Sequence, residues 1–240
     1  LNFSLDNKVA LVTGANTGIG QAIAVGLAKS GAQVICASRS DCSQTLSMID
    51  NAAALTLDFA DPMAAREVFE HRQIDILVNN AGIIRRNDAL DFSEEDWDAV
   101  MDTNLKALFF TCQAFGRAAI KRKSGKIINI ASLLSLQGGI RVPSYTASKH
   151  GVAGLTKTLA NEWAVHNINV NAIAPGYIKT NNTQALQDDA MRNQAILERI
   201  PAGRWGNAED IAGAAVFLAS DAAAYIHGNI LEVDGGWMGR

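Results

Sequence analysis

The apolar run Val9-Ala10-Leu11-Val12 breaks into Thr13-Gly14-Ala15-Asn16-Thr17-Gly18-Ile19-Gly20. A helical pattern follows in Ala22, Ile23, Val25, Leu27 and Ala28 and closes at Ser30-Gly31. A short continuous apolar run bounded by a turn fits a strand buried on both faces, as in a parallel sheet. Glycines in the turn let backbone come close to a ligand. The helix that opens there offers free N–H groups and a partial positive charge, so the three pieces together make a site suited to a pyrophosphate. The spacing is Gly-x-x-x-Gly-x-Gly rather than Gly-x-Gly-x-x-Gly, and a glycine-rich turn that binds nothing is the alternative.

The same alternation runs through the chain. Residues 33–37 read as a second strand ending at Ser38-Arg39, and the brief stretch to residue 52 leaves room for only a short helix. Residues 53–57 read as a third strand ending in Asp58-Phe59. Asp61-Pro62 opens a helix to about residue 71, with an N-cap and a proline at its first position. A fourth strand over 74–78 ends in Asn79-Asn80-Ala81-Gly82. Ser93-Glu94-Glu95-Asp96 starts a helix to about residue 122 that carries Asn104 on an apolar stretch. Strands over 126–131, 168–174 and 229–233, with helices over about 144–166 and 207–220, complete the pattern, and the polar segment 181–199 reads as a mobile helical lid. Seven strands alternating with helices predict α/β architecture: a single Rossmann-like domain over 1–240, a doubly wound parallel sheet with helices on both faces. Its dinucleotide-binding part covers about 1–130 and its catalytic and substrate part about 131–240.

Composition narrows the partners. The net charge of −3 gives the chain as a whole no nucleic-acid footprint. Cys36, Cys42 and Cys112 are odd in number and lack metal-ligand spacing, so they read as reduced thiols of a cytoplasmic protein without a metal. Residues 1–8 show no positive segment leading into an apolar run, and no stretch is long enough to span a membrane.

The chemistry concentrates in Ser144-Tyr145-Thr146-Ala147-Ser148-Lys149. On a helix, Tyr145 and Lys149 stack one turn apart. An ammonium beside a phenol favours the phenolate, which would lower the tyrosine pKa and make it a usable proton donor and acceptor. Ser132 follows the strand ending at Ala131, on the carboxyl edge where ligands gather in an open α/β sheet. Two exposed polar residues on a solvated helix face are the alternative for the tyrosine and lysine. At the end of the second strand an acid would bind the 2′-hydroxyl of NAD, whereas an arginine accommodates the 2′-phosphate of NADP. Ser38-Arg39 stands there, with no acid before Asp41. This favours NADP(H) and leaves NAD(H) possible; an exposed loop arginine is the alternative.

Taken together, Thr13-Gly-Ala-Asn-Thr-Gly-Ile-Gly20, Asn79-Asn-Ala-Gly82, Asn104, Ser132, Tyr145-x-x-x-Lys149 and Pro175-Gly176 with Thr180 resemble the short-chain dehydrogenase/reductase family, in its order and spacing. The resemblance implies that Tyr145 exchanges a proton with the substrate oxygen and that Ser132 holds that oxygen. Lys149 would bind the nicotinamide ribose and lower the tyrosine pKa, and Asn104 would hold a water relaying protons to Lys149. Gly14, Asn16, Thr17, Gly18, Ile19 and Gly20 would wrap the phosphates. Asp58 with Phe59 would meet the adenine, Asn80, Ala81 and Gly82 would line the adenosine ribose, and Pro175, Gly176, Ile178 and Thr180 would contact the nicotinamide amide. Family members commonly form tetramers through two long central helices and the last strand, which implies a homotetramer here. The compressed 40–52 segment departs from the family's usual length.

Longer stretches, among them Gln137-Gly-Gly-Ile-Arg-Val-Pro-Ser-Tyr145 and Arg199-Ile-Pro-Ala-Gly-Arg-Trp-Gly206, are similar to sugar-acid dehydrogenases of that family. This likeness implies a deoxy sugar acid as substrate and an association with NAD. Arg141 lies between Ser132 and Tyr145, and Arg85 and Arg86 follow the fourth strand. A guanidinium can hold a carboxylate through two parallel hydrogen bonds. Arg141 is the first candidate anchor and Arg85 or Arg86 the second; exposed or subunit-contact arginines are the alternative. A reductase of another small polyol or keto acid, and a nucleotide sensor without turnover, remain open as other functions.

Overall fold

The computed structural model describes residues 2–58, 61 and 66–239, for residues 66 and 67 the backbone alone. Seven parallel strands form one sheet in the order β3-β2-β1-β4-β5-β6-β7. They are β1 (Val9–Thr13), β2 (Gln33–Ser38), β3 (Ala52–Thr56), β4 (Ile76–Asn79), β5 (Gly125–Ile130), β6 (Ile168–Pro175) and β7 (Ile230–Val233). The order reverses direction after β3, so β1 and β4 become neighbours with Ala10 opposite Ile76 and Val12 opposite Val78. At such a switch point the strand ends leave a crevice for a ligand. The helices are α1 (Gly18–Lys29), α2 (Ser43–Leu46), α3 (Arg66–His71), α4 (Glu94–Met101), α5 (Ala107–Arg122), α6 (Pro143–Trp163), α7 (Gln184–Asp188), α8 (Ala190–Leu197) and α9 (Ala208–Ala219).

Side chains alternate across the sheet, and each face has its own core. Leu11 joins Phe69, Leu108, Phe115, Val152 and Leu159 beneath α3, α5 and α6. Ala10 and Val12 join Ile23, Leu27, Ile211 and Leu218 beneath α1 and α9. Because both faces are covered along β1, β2 and β4, those strands read as continuous apolar runs, whereas β6 buries Asn169 and Asn171 between Ile168, Val170 and Ala172. A third cluster ties the chain's end to the 181–199 segment. Trp205 and Trp237 are buried with Ile196 and Ile200, the Tyr177 ring packs against both indoles, and the Arg199 guanidinium lies 3.9 Å from the Trp237 ring centroid. The segment is helical as expected, yet its C-terminal half is packed down by this cluster.

One expectation changes. The helix over 93–122 is not continuous: α4 passes through a π turn at Asp102–Lys106 before α5 begins. The extra residue of the wider turn re-aims the side chains around Asn104, as π-bulges do. The expected start of α3 at Pro62 lies outside the described residues, as does Phe59. Ser93 caps α4 as expected, accepting from the Asp96 N–H at 3.2 Å.

Beneath the carboxyl edge runs a buried polar chain. The Asn79 amide donates to Asn129 Oδ1 at 2.9 Å and to Cys112 Sγ at 3.2 Å, and the Asn129 amide donates to Thr156 Oγ1 at 3.0 Å. It links β4, β5, α5 and α6. Each buried group left without its partner costs about 1–3 kcal/mol. Asn129→Leu should therefore destabilise the fold by about 2–4 kcal/mol in urea unfolding, although leucine is the more apolar residue. A neutral or stabilising result would show that the chain is dispensable.

Candidate active site

The glycine turn is built by close approach. A Cβ on Gly20 would lie 2.2 Å from the Gly14 carbonyl oxygen and 2.4 Å from Asn80 Nδ2. Gly14 and Gly18 both adopt positive φ, 63° and 58°, where a side chain is strained. Asn80 closes this approach from β4: its amide donates to the Thr13 and Gly14 carbonyls at 3.0 and 3.1 Å. Thr13 Oγ1 in turn accepts from the N–H groups of Asn80 and Ala81, both at 2.9 Å. Helix α1 has no side-chain cap and no acidic residue in its first turn, so its N-terminus keeps its affinity for an anion. A groove of about 480 Å³ runs outward from here, lined by Gly14, Asn16, Ser38, Arg39, Asp58, Ala81 and Gly82. Ser38 is buried and hydrogen-bonds Asn16 Oδ1 at 3.1 Å; Arg39 beside it is exposed. These residues fit a dinucleotide: glycines where a pyrophosphate needs backbone, and a hydroxyl with a free guanidinium where a 2′-phosphate would sit.

A second cleft, of about 140 Å³, continues the groove and contains Ile19, Asn80, Gly82, Ser132, Tyr145, Lys149, Pro175, Gly176, Ile178 and Thr180. A separate hollow behind Tyr177 shares Ile178 with it but holds none of Ser132, Tyr145 or Lys149. Thr17 is the N-cap of α1. Across the opening from it, Thr180 comes near Gly18, whose Cβ would lie 3.5 Å from Thr180 Cγ2.

The catalytic candidates converge on the carboxyl edge. Lys149 is buried on α6, and its Nζ donates to the Ile130 carbonyl at 2.6 Å. It lies 5.6 Å from the Tyr145 ring centroid. With burial as the cause, its pKa falls to about 8. Ser132 is fixed by a capping box in which Leu134 N–H donates to Ser132 Oγ at 3.1 Å and Ser132 N–H donates to Ser135 Oγ at 3.3 Å. Ser135 then donates to the Lys149 carbonyl at 2.7 Å. Nothing in the composition of the loop marks Ser135; the Ser-x-x-Ser spacing was the available signal.

The expected lowering of the Tyr145 pKa by Lys149 does not hold. Burial pushes the phenol above its ordinary value, and the groups pulling it back are the Ser132 hydroxyl and the Arg86 charge. The Lys149 amine is turned to the strand, donating to the Ile130 carbonyl rather than to the phenol. Asn104 is buried, and its side chain is engaged by the backbone of Ile83, accepting from N–H at 2.8 Å and donating to C=O at 2.9 Å. Its remaining contact is Ser148 Oγ at 3.4 Å, and no hydrogen bond joins it to Lys149 among the described residues.

The three arginines separate. Arg141, the first candidate anchor, is not brought to the cleft: its backbone has φ +64°, and its half-exposed side chain pairs with Asp88 at 3.0 Å. Arg85 lines the nucleotide groove and pairs with Asp96 at 3.1 Å. Arg86 donates to the carbonyl of Asn182 at 3.0 Å, and Asn182 lines the cleft. Among the three, Arg86 acts on Tyr145.

Fold and site together define a nicotinamide-dependent oxidoreductase. Residues 14–238 match the family model described as enoyl-(acyl carrier protein) reductase, and the chain belongs to the short-chain dehydrogenase/reductase family. It is 59% identical over 247 residues to the 2-dehydro-3-deoxy-D-gluconate 5-dehydrogenase of Bacillus subtilis, covering 99% of this chain and 97% of that one. A solved structure from Agrobacterium tumefaciens, described as a candidate 2-deoxy-D-gluconate 3-dehydrogenase with bound NADP, is 68% identical. It superposes with TM-score 0.98, covering 100% of this chain and 99% of that one. A candidate NAD(P)-dependent gluconate 5-dehydrogenase from Beutenbergia cavernae, holding NADP at low occupancy, is 47% identical with TM-score 0.97 over 100% of both chains.

Lys149 gives the site a pH signature. Between pH 8 and its ordinary value of 10.5, the unfolded chain holds a proton on this residue that the folded chain has released. Wild-type stability therefore gains with rising pH across that window. Lys149→Met lacks this gain. The difference in unfolding free energy between the two should shift toward wild type by about 2–3 kcal/mol over the window; a difference independent of pH would place the lysine in water.

Proposed function

We propose that this chain interconverts a secondary alcohol and a ketone of a deoxy sugar acid, with NADP(H) as its preferred cofactor. The observation that carries the reading is the joining of the nucleotide groove to a cleft holding Ser132, Tyr145 and Lys149. The sugar-acid dehydrogenases among its relatives support the substrate class. Ser38 and Arg39, with no carboxylate at the end of β2, support NADP(H).

When bound, the nicotinamide supplies or accepts the hydride. Gly14, Asn16, Thr17, Gly18, Ile19 and Gly20 would hold its phosphates, Asn80, Ala81, Gly82 and Asp58 would line the adenosine end, and Pro175, Gly176, Ile178 and Thr180 would hold the nicotinamide amide. Tyr145 passes a proton between its hydroxyl and the substrate oxygen, and Ser132 orients that oxygen. Lys149 would hold the ribose, and its ammonium, protonated below about pH 8, stands 5.6 Å from the Tyr145 ring centroid. Asn104 fixes the π turn against Ile83, which keeps the loop after β4 in place. Arg86 takes the substrate carboxylate, and before the substrate arrives its charge pulls the tyrosine pKa down.

The nucleotide-binding part falls within 1–130 and the catalytic part within 131–240, with 181–199 closing over the substrate. We place the protein in the cytoplasm as a homotetramer joined through α5, α6 and β7. Sedimentation should give four times the chain mass, and a monomeric mass would refute the assembly.

The deciding measurement is the initial rate of 2-deoxy-D-gluconate oxidation with NADP and NAD side by side. Turnover should favour NADP, and Tyr145→Phe should lower kcat by about a hundredfold or more. Arg86→Ala should raise KM for the sugar acid about tenfold while leaving KM for a neutral ketone unchanged, and the loss of its field at Tyr145 should lower kcat for both. Turnover favouring NAD would discard the phosphate role of Arg39. An equal effect of Arg86→Ala on KM for both substrates would discard the anchor.

A further inference from the structure

The connection between β2 and β3 is brief, with α2 as its only regular element. Within it Thr45 is fully buried, 0% exposed, and its hydroxyl is used in both directions. It donates to the Ala15 carbonyl at 2.7 Å, reaches the Asn16 carbonyl at 3.4 Å, and accepts from Gln21 Nε2 at 2.9 Å. The Gln21 amide also reaches the Asn16 carbonyl, at 3.4 Å. Two residues from different elements therefore hold two consecutive carbonyls of the glycine turn.

In a planar trans peptide the C=O and the following N–H point in opposite directions. Pinning the carbonyls of Ala15 and Asn16 toward α2 turns the N–H groups of Asn16 and Thr17 away from it. The same clamp sets the Asn16 side chain, whose Oδ1 accepts from Ser38 Oγ at 3.1 Å. Ser38 Oγ accepts in turn from Ser40 N–H at 3.1 Å. The chain of bonds thus runs from Thr45 through Asn16 to the two residues that flank Arg39.

We infer that Thr45, braced by Gln21, is a positioning residue for the phosphates of the nucleotide: it holds the turn at Ala15-Asn16 so that Asn16, Ser38 and Arg39 present one arrangement to a phosphate at the adenosine end of the groove. The inference rests on the nucleotide reading of that groove. A threonine buried merely to fill space would behave differently, because valine fills the same space without the hydroxyl whereas serine keeps the hydroxyl and loses a methyl group.

Direct titration of NADPH, followed by nucleotide fluorescence, separates the two roles in wild type, Thr45→Val and Thr45→Ser, with thermal unfolding as the check that each is folded. Thr45→Val should weaken NADPH binding about tenfold and Thr45→Ser by less than about threefold. At saturating cofactor, kcat and KM for the sugar acid should stay at wild-type values in both. Wild-type binding by Thr45→Val, or weakening in Thr45→Ser as large as in Thr45→Val, would overturn the inference. Wild type that binds neither NADPH nor NADH would instead overturn the nucleotide reading. Should Thr45→Val not fold, Gln21→Met carries the test, with about threefold weaker NADPH binding expected and unchanged binding as the refutation.

Discussion

The buried bond between the Lys149 amine and the Ile130 carbonyl, 2.6 Å long, is the interaction on which the site depends. A cation removed from water is costly unless something replaces its hydration. Here a main-chain carbonyl at the end of β5 does so, and the residual penalty is seen in a pKa lowered to about 8. The bond fixes the rotation of α6 about its axis. With that rotation set, Tyr145, one turn earlier, faces the cleft, and Ser132 stands two residues past the carbonyl that holds the lysine. The Ser135 hydroxyl, bonded to the Lys149 carbonyl at 2.7 Å, ties the loop after β5 to the same helix. Hydroxyl, phenol and amine are thereby carried by one rigid unit rather than by three independent loops, which suits chemistry that tolerates little misplacement.

Two further polar devices keep that unit in register with the nucleotide groove. Below it, Asn79, Asn129 and Thr156 join β4 and β5 to α6 in a dry interior, where such bonds select one packing because any other leaves groups unpaired. Beside it, the Asn104 amide on the π turn grips Ile83 and holds the strand-end loop that contains Gly82. Both devices act on backbone, so they set distances between elements whatever substrate is present.

Much of this was legible in the chain itself. Central parallel strands buried on two faces have to be short apolar runs, and the seven strands were visible near their observed bounds, including β3 and β7, which are not fully buried. Ser132, Tyr145 and Lys149 were visible because helix spacing and strand ends place them. The π turn was not, since Asp102-Thr103-Asn104-Leu105-Lys106 holds no proline or glycine to mark the change. The direction of the Tyr145 shift was not, because burial depends on what packs around the ring and no local spacing records it. Thr45 lies 30 residues from Ala15. Its role arises from the fold of a shortened connection, and in the sequence it is one threonine in a polar stretch.

The arginines show most directly why a motif does not assign a role without geometry. Arg141 occupies the better position by sequence, midway between the serine and the tyrosine, yet Asp88 already satisfies it. Arg85 is likewise neutralised by Asp96. Arg86 meets a carbonyl and pairs with no carboxylate among the described residues, and its field extends to the Tyr145 phenol. An uncancelled cation at the mouth of a low-dielectric cleft attracts an anionic substrate and lowers the pKa of the acid beside it by the same field. Binding a carboxylate there would weaken its pull on the tyrosine as the substrate arrives. Lys149, which keeps its proton below about pH 8 and lies 5.6 Å from the Tyr145 ring centroid, is then the group left to stabilise the phenolate during proton transfer, and the order in which the two cations act follows from what each one faces.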